Sequence, residues 1–481
     1  MIRRLAALSF LLPAIGHAQI GSPNVFLDES AGPYLLSIFV KSPRAIPGVA
    51  EVEIRTRTKD VRAIRLVPTF VAGSASRIAP TPEAMRQSKE NPMLFTGSLW
   101  LMASGSWKVR VLVDGDRGPG ELFVPYPAVS RQIRNMNPAL GIPLALLALG
   151  LIAGIVSIVG ASHREGQLEP GLAPARVQQA RARFFMLLFA CICGGALFGG
   201  NLWWDKEAEQ FRRQMYKSPA LKLDVDPNGK LFASTAKSGS RQQTPDLVPD
   251  QGSFMQLFVV RVPSLEKIYS LHPDMQVGGV FTANLPAMDA GKYQFFGDII
   301  HSDGFPETAT AELELKEALR GHPPAGDDSQ ASAAPAGRNP DPGFSVLSDK
   351  YRMIMLRDGK PIRARVASHF TFRVETKSGR PAEDLELLMG VPAQAVFIKY
   401  DRSVFARVNP MGSVPMAILG MVASTAARPI ADRSTHSMNM GIPAEITFPY
   451  GVPSAGDYRI FVQVKRAGKI ETGTFDINAI E

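Results

Sequence analysis

Two stretches of this chain, Pro138 to Ala161 and Phe184 to Trp204, contain no charged residue. Each is about 20 residues long, the length at which a helix crosses a hydrocarbon layer of roughly 30 Å. Elsewhere the pattern changes to a period of two. Trp107, Val109, Val111 and Val113 fall on one face of an extended segment, with Lys108, Arg110 and Leu112 on the other. That is the signature of a half-buried strand. Similar runs at Tyr34 to Val40, Ala50 to Arg55, Met255 to Val262, Lys292 to Ile300, Thr308 to Leu315, Tyr458 to Val464 and Glu471 to Ile477 predict further strands, with turn residues such as Pro43, Pro47, Gly48 and Asp114-Gly115 between them.

The pattern therefore predicts a mainly β fold: three immunoglobulin-like antiparallel β-sandwich modules plus a two-helix transmembrane hairpin. The sandwiches are expected at 19–130, 219–316 and 346–481. The spans lie at 138–161 and 184–204, joined by a cytoplasmic loop at 162–183, and charged residues from Asp205 to Lys217 continue the second helix beyond the apolar run. Residues 317–345, rich in Pro, Gly, Ala, Ser and Asp, read as a disordered linker, because such a composition offers too little apolar surface to bury.

A weak internal repeat relates the modules. Ser104 to Val109, Ala290 to Phe295 and Ala455 to Ile460 each place a glycine before an aromatic residue that opens a strand. The second and third modules share more. Met255 to Val260 ahead of Ser270-Leu271-His272-Pro273 mirrors Gln394 to Ile398 ahead of Arg407-Val408-Asn409-Pro410. Repetition of one sandwich unit explains this matching.

Residues 1–18, with Arg3 and Arg4 before an apolar run from Leu5 to Ile15 and small residues before Gln19, read as a secretory signal peptide. Arginines in the inter-span link favour a cytoplasmic loop, although Arg131 and Arg134 outside the first span weaken the contrast. The signal pattern decides it: both flanking regions are expected to be exported. Cysteine is confined to Cys191 and Cys193 in the second span, so the exported modules must fold by burial alone. The net charge of +9 raises nucleic-acid binding, but the basic residues are scattered and no dense basic block exists. Nucleic acid is not expected as a partner.

From Ala31-Gly32-Pro33-Tyr34 through Asn91 to Phe95 and Ser106 to Val109, the first module resembles the exported β-sandwich domains called YtkA-like or FixH-like. The later modules, through Met255 to Pro273, Ala290 to Tyr293, His301 to Phe305 and Phe448 to Asp476, resemble repeats of a little-characterised group of bacterial envelope proteins built around a membrane hairpin. The resemblance implies a bacterial inner-membrane protein with its N-terminal and C-terminal domains facing the periplasm. It also implies handling of copper or another metal, since such repeats commonly carry a histidine on the first strand and a His-x-His-Pro step on the next. This chain departs from that pattern. Gln256 and Gln394 stand at the first-strand positions, Ser270 precedes His272, and Arg407 and Asn409 replace both histidines of the last module. Arginine stays charged and does not serve as a ligand.

Thioether sulfur suits Cu(I), so two groups are candidate metal ligands: Met255 and Met275 with His272, and His436, Met438 and Met440 with Met411 and Met416. The alternative is that these methionines fill gaps in a core or lie in loops. His301 and His369 read as surface or satisfied core residues. No nucleophile elbow, phosphate loop or His-Glu-x-x-His motif is present, and no enzymatic activity is expected. The sequence thus leads to a membrane-anchored periplasmic binding or assembly protein linked to metal handling, with the membrane and an envelope protein as partners. The alternative is a purely structural β-sandwich protein that docks a membrane complex and binds no metal.

Overall fold

The computed structural model describes residues 19–20, 24–43, 45–71, 80–130, 137–166, 168–169, 172–235, 246–332, 343–348, 350–424 and 441–481. The chain is mainly β, and it divides into two compact units, residues 131–216 and the remainder.

The smaller unit is a helical hairpin. Its first helix, α1, spans Pro138–Glu165, and its second, α2, spans Arg176–Gln214. Pro138 supplies a pre-set φ at the first helical position, and the Asn137 side chain accepts from the Ala139 N–H at 3.0 Å, satisfying one of the orphan donors of the first turn. The two helices approach where Gly160 has no side chain: a Cβ there would lie 2.4 Å from the Met186 sulfur. His163 stacks on Phe185 at 4.0 Å. Both helices are long and apolar enough to cross a membrane, and side chains such as Leu146, Ile158, Leu187 and Phe198 face outward. The helices outrun the expected spans because polar residues continue them past the apolar cores, and α2 reaches Gln214 as its charged extension predicts.

Among the described residues, the strands of the larger unit pair into six sheets, which face one another two by two as sandwiches. In the first, Val25–Ala31, Tyr34–Lys41, Gly48–Thr56 and Leu94–Leu101 form one antiparallel sheet, and Val61–Phe70, Gly105–Gly115 and Gly118–Ala128 the other. Trp107, Val109, Val111 and Val113 point into the core between them, as their period of two predicts. The second sandwich sets Leu221–Val225, Lys230–Thr235 and Phe281–Asn284 against Gln256–Val262, Lys267–Leu271, Gly291–Ile300 and Pro306–Leu315. The third sets Tyr351–Leu356, Ser368–Thr376 and Glu445–Tyr450 against Gln394–Lys399, Val404–Val408, Gly456–Arg466 and Lys469–Ile480. Each repeated glycine that opens a strand, Gly105, Gly291 and Gly456, has a positive φ (143°, 150° and 131°), a backbone state that side chains disfavour.

One segment departs from its expected state. Within 317–345, expected as a disordered linker, Ser329–Ser332 is a strand paired with Lys267–Leu271, and Leu319 bridges Met288. Its small polar residues carry no hydrophobic signal, but an edge strand pairs through its backbone and needs none. Residues 333–342 of that segment lie outside the described residues.

The sandwiches are not beads on a string. A short helix of the third, α3 (Met416–Ser424), buries Ile418 and Val422 in the core of the first. The Phe26 ring of the first stacks on Phe39 at 4.1 Å and meets Tyr450 of the third at 5.9 Å, joining the third core. Beside it, Pro410 to Ser413 runs along the edge of Val25–Ala31, with Asp28 N–H donating to the Met411 carbonyl at 2.8 Å and Ser413 N–H to the Phe26 carbonyl at 3.1 Å. Gly412 makes this possible: its φ is +128°, and a Cβ there would sit 2.0 Å from the Phe26 oxygen.

Candidate functional site

The second and third sandwiches pack back to back through their larger sheets. Strands that serve two cores must be apolar on both faces, and Leu257 to Val260 and Ala395 to Ile398 are buried without a break. The middle of this contact is apolar: Phe296 stacks on Phe405 at 4.2 Å, Phe258 lies 5.6 Å from the same ring, and Val260, Ile268, Val396, Ile398 and Phe461 fill the rest.

Around that centre lie two polar clusters that answer one another across the repeat. In the second sandwich Gln256 is the cross-strand partner of Asp298; in the third Gln394 is the partner of Gln463. Asp298 and Gln463 each stand seven residues after their module's opening glycine, Gly291 and Gly456. Each pair receives a side chain from the opposite module at the equivalent second-strand position. Ser270, opposite Phe258, donates to Gln463 Oε1 at 3.3 Å, where Gln394 Nε2 also donates at 2.6 Å, and Gln463 Nε2 donates to Ser329 Oγ at 2.8 Å. Arg407, opposite Val396, reaches the other way. Its Nη1 donates to Gln256 Oε1 at 2.8 Å, its Nη2 to Asp250 Oδ2 at 2.5 Å, and its Nε lies 3.4 Å from Asp298 Oδ2.

The charged cluster is largely dry, with the Arg407 side chain 6% and Asp250 5% exposed. Burial works against the guanidinium charge, but Asp250 and Asp298 more than offset it and hold Arg407 above its ordinary range. Burial pushes the Asp298 carboxyl up, against the pull of Arg407. Asp250 has a second task. Its Oδ1 accepts from the Ala417 N–H at 2.8 Å, in the first turn of α3, where a carboxylate meets free N–H groups and the positive end of the helix dipole. One carboxylate thus ties the second sandwich to Arg407 of the third and to the helix that completes the first core.

The segment that delivers Asp250 is clamped farther back. Val248 N–H donates to the Ile300 carbonyl at 2.9 Å, and Asp246 faces His301, whose Nδ1 is 3.2 Å from Asp246 Oδ1 and whose Nε2 is 3.0 Å from Glu307 Oε2. Burial disfavours the imidazolium, yet the hydrogen bonds to Glu307 and Asp246 outweigh it and raise the His301 pKa above its ordinary value. A protonated imidazole between two carboxylates donates to both, so the ring nitrogens of this buried histidine are satisfied. His369, by contrast, is 41% exposed at its side chain and lies 3.4 Å from Asp28 of the first sandwich.

The expected metal ligands that are described occupy different settings. Met255 is fully buried in the second core, its sulfur against Gly297. Met275 is 37% exposed on a hairpin, and His272 is engaged by Asp328, which lies 3.0 Å from Nδ1 and accepts the His272 backbone N–H at 2.8 Å. Met411 contributes its carbonyl to the seam with the first sandwich, and Met416 opens α3. His436, Met438 and Met440 lie outside the described residues. Among the described residues, no group of three or more His, Cys, Asp or Glu side chains is placed to hold a metal ion, a set of donors that leaves methionine sulfur aside. Gln256, Gln394, Ser270 and Arg407 stand out in the sequence as substituted ligand positions, but nothing there shows that Arg407 meets Gln256 while Ser270 meets the Gln394–Gln463 pair. Their shared place in the repeat was the available signal. Asp250, Asp298 and Asp246 gave none.

Residues 346–481 match a family model described as a domain of unknown function (DUF8832). No curated protein matches the chain. Among solved structures, a tetra-tandem repeat from the extending region of a large adhesion protein is 8% identical, covering 91% of this chain and 72% of that one with a TM-score of 0.16. The ICAM-5 D1-D4 ectodomain fragment is 10% identical, over 93% of this chain and 77% of that one, with a TM-score of 0.16. The native alpha-2-macroglobulin of E. coli is 10% identical over 95% of this chain but only 23% of its own, with a TM-score of 0.21.

Proposed function

We propose that this chain is a membrane-anchored periplasmic protein of the bacterial inner membrane, in which three immunoglobulin-like sandwiches form one rigid body for binding or assembling an envelope protein partner. The observation that supports it is the use made of the repeat face. The positions that carry histidines in the proteins this chain resembles hold Gln256, Ser270, Gln394 and Arg407, and their side chains are spent on joining two sandwiches. A face buried in this way serves rigidity rather than ligand exchange.

A rigid body has use as a docking platform, since a partner need not pay to order it and can add a strand to an open sheet edge. Photocrosslinking amino acids placed in living cells at exposed Val346 and Leu387 test this reading. A discrete adduct of constant mass from at least one site is expected, and no adduct from either overturns the partner role. Protease added to spheroplasts should reach both 19–130 and the region after 217, and protection of one of them overturns the topology. Cu(I) titration of the full-length protein in nanodiscs completes the test. Stoichiometric binding that is lost on Met438→Leu with Met440→Leu would instead make metal handling the primary role.

A further inference from the structure

Among the exposed apolar side chains of the larger unit, two groups sit at the ends of sandwiches where the chain passes to or from a helix. In the first sandwich, Val49 and Trp100 are cross-strand partners, 39% and 61% exposed, with Met102 beside them at 65%. They cap the end at which Gly105 pairs with Ala128, the last residue of the strand before the helical hairpin. In the second sandwich, Met275 and Val277 occupy a hairpin whose tip, through Gly278 and Gly279, leaves Val277 fully exposed. Phe281 pairs with Ala233, and Thr235 pairs with Leu221, so this tip projects at the end where the chain enters the sandwich from α2.

We infer that these two patches rest on the surface of the lipid bilayer. The covalent spacing argues for this occupant. Ser130 and Pro138 are eight positions apart, and Gln214 and Leu221 seven, so at roughly 3.3–3.6 Å per residue neither patch end can stray more than about 30 Å from a helix terminus. Residue type agrees. An indole prefers the level of the lipid headgroups, as Trp203 and Trp204 at the other flank of the hairpin would, and methionine and valine are suited to the boundary beneath. The chain's own connections thus keep an apolar surface, the bilayer, near both ends. The inference rests on reading α1 and α2 as membrane-spanning.

The test uses the full-length protein with Cys191→Ser and Cys193→Ser, reconstituted in phosphatidylcholine and phosphatidylglycerol vesicles. Single cysteines carrying an environment-sensitive fluorophore are placed at Trp100, Val277, Leu387 of the third sandwich and Leu146 within α1, all exposed and each accepted only if thermal unfolding matches the parent. Blue-shifted emission and quenching by spin-labelled lipid are expected at 100 and 277 and not at 387. Equal emission at 100, 277 and 387 overturns the inference, as does a shift at 100 or 277 that vanishes when the protein is diluted into excess lipid, which would assign the patches to a second copy. The Leu146 label separates the two failures. If it is quenched while 100 and 277 remain water-like, the helices span and only the resting contact is lost; if it too is water-like, the anchoring itself is refuted.

Discussion

Replacing Arg407 by alanine should be among the most damaging single changes in the larger unit. It removes the only cation within reach of Asp250 and Asp298 among the contacts described, and leaves the Gln256 carbonyl oxygen without its donor. Stripping one partner from a buried ion pair costs about 3–5 kcal/mol, because the remaining charge stays desolvated. The orphaned Gln256 oxygen adds about 1 kcal/mol, and the two terms overlap rather than sum. An expected loss of about 4 kcal/mol corresponds to roughly a thousandfold in the local opening equilibrium. Native-state hydrogen exchange suits the measurement, since a multi-domain chain does not unfold in two states. Amides of Gln256–Val262 and Gln394–Lys399 should lose protection together in Arg407→Ala. The deficit should shrink as pH falls, since burial already favours the protonated Asp298 carboxyl, and grow as pH rises. Combining Arg407→Met with Asp250→Asn and Asp298→Asn should restore most of the loss. A cost below about 1 kcal/mol for Arg407→Ala, or no recovery in the triple variant, would refute this account of the junction.

Other expectations follow from the same geometry. His301 has a raised folded pKa, so its contribution is fully present below about pH 6.5 and is lost as pH rises through the folded value, where the native state binds more protons than the unfolded one; His301→Gln should flatten that stretch of the stability profile, and an unchanged slope in denaturant titrations would discount the imidazolium. Gly412→Ala forces a Cβ into the Phe26 carbonyl at a φ of +128°, and should cost more than about 2 kcal/mol and speed proteolysis at the seam between the first and third sandwiches. Phe405→Ala opens the stacked centre and should cost about 3–5 kcal/mol by chemical denaturation. Met255→Leu keeps volume in a closed core and should cost less than about 1.5 kcal/mol while leaving Cu(I) titrations unchanged.

The elements that reading the sequence recovers are those whose burial is one-sided. Trp107 to Val113 alternates because one face is core and the other water, and the hairpin helices declare themselves because their apolar runs are long enough to cross a membrane. What stays hidden depends on distant partners. Leu257 to Val260 shows an unbroken apolar run, which marks a strand buried on both faces without saying what covers the second face. Arg407 and Gln256 lie 151 positions apart, and nothing local at either predicts their meeting. Ser329–Ser332 resembles a linker because its contribution is made by main-chain groups. His301 and Glu307 were within reach of a hairpin argument, since Ile300 pairs with Pro306, but Asp246 arrives from another segment.

The packing of Phe26 against Tyr450 sets a timetable for biogenesis. These rings are separated by 424 positions of chain, with both apolar helices in between. Domains emerge N-terminal first during synthesis, at about 5–20 residues per second, so the earliest sandwich waits tens of seconds with a bare aromatic edge before its cover is made. A premature stop late in the coding region would therefore be felt at the beginning of the polypeptide. During that interval the half-finished molecule needs shelter.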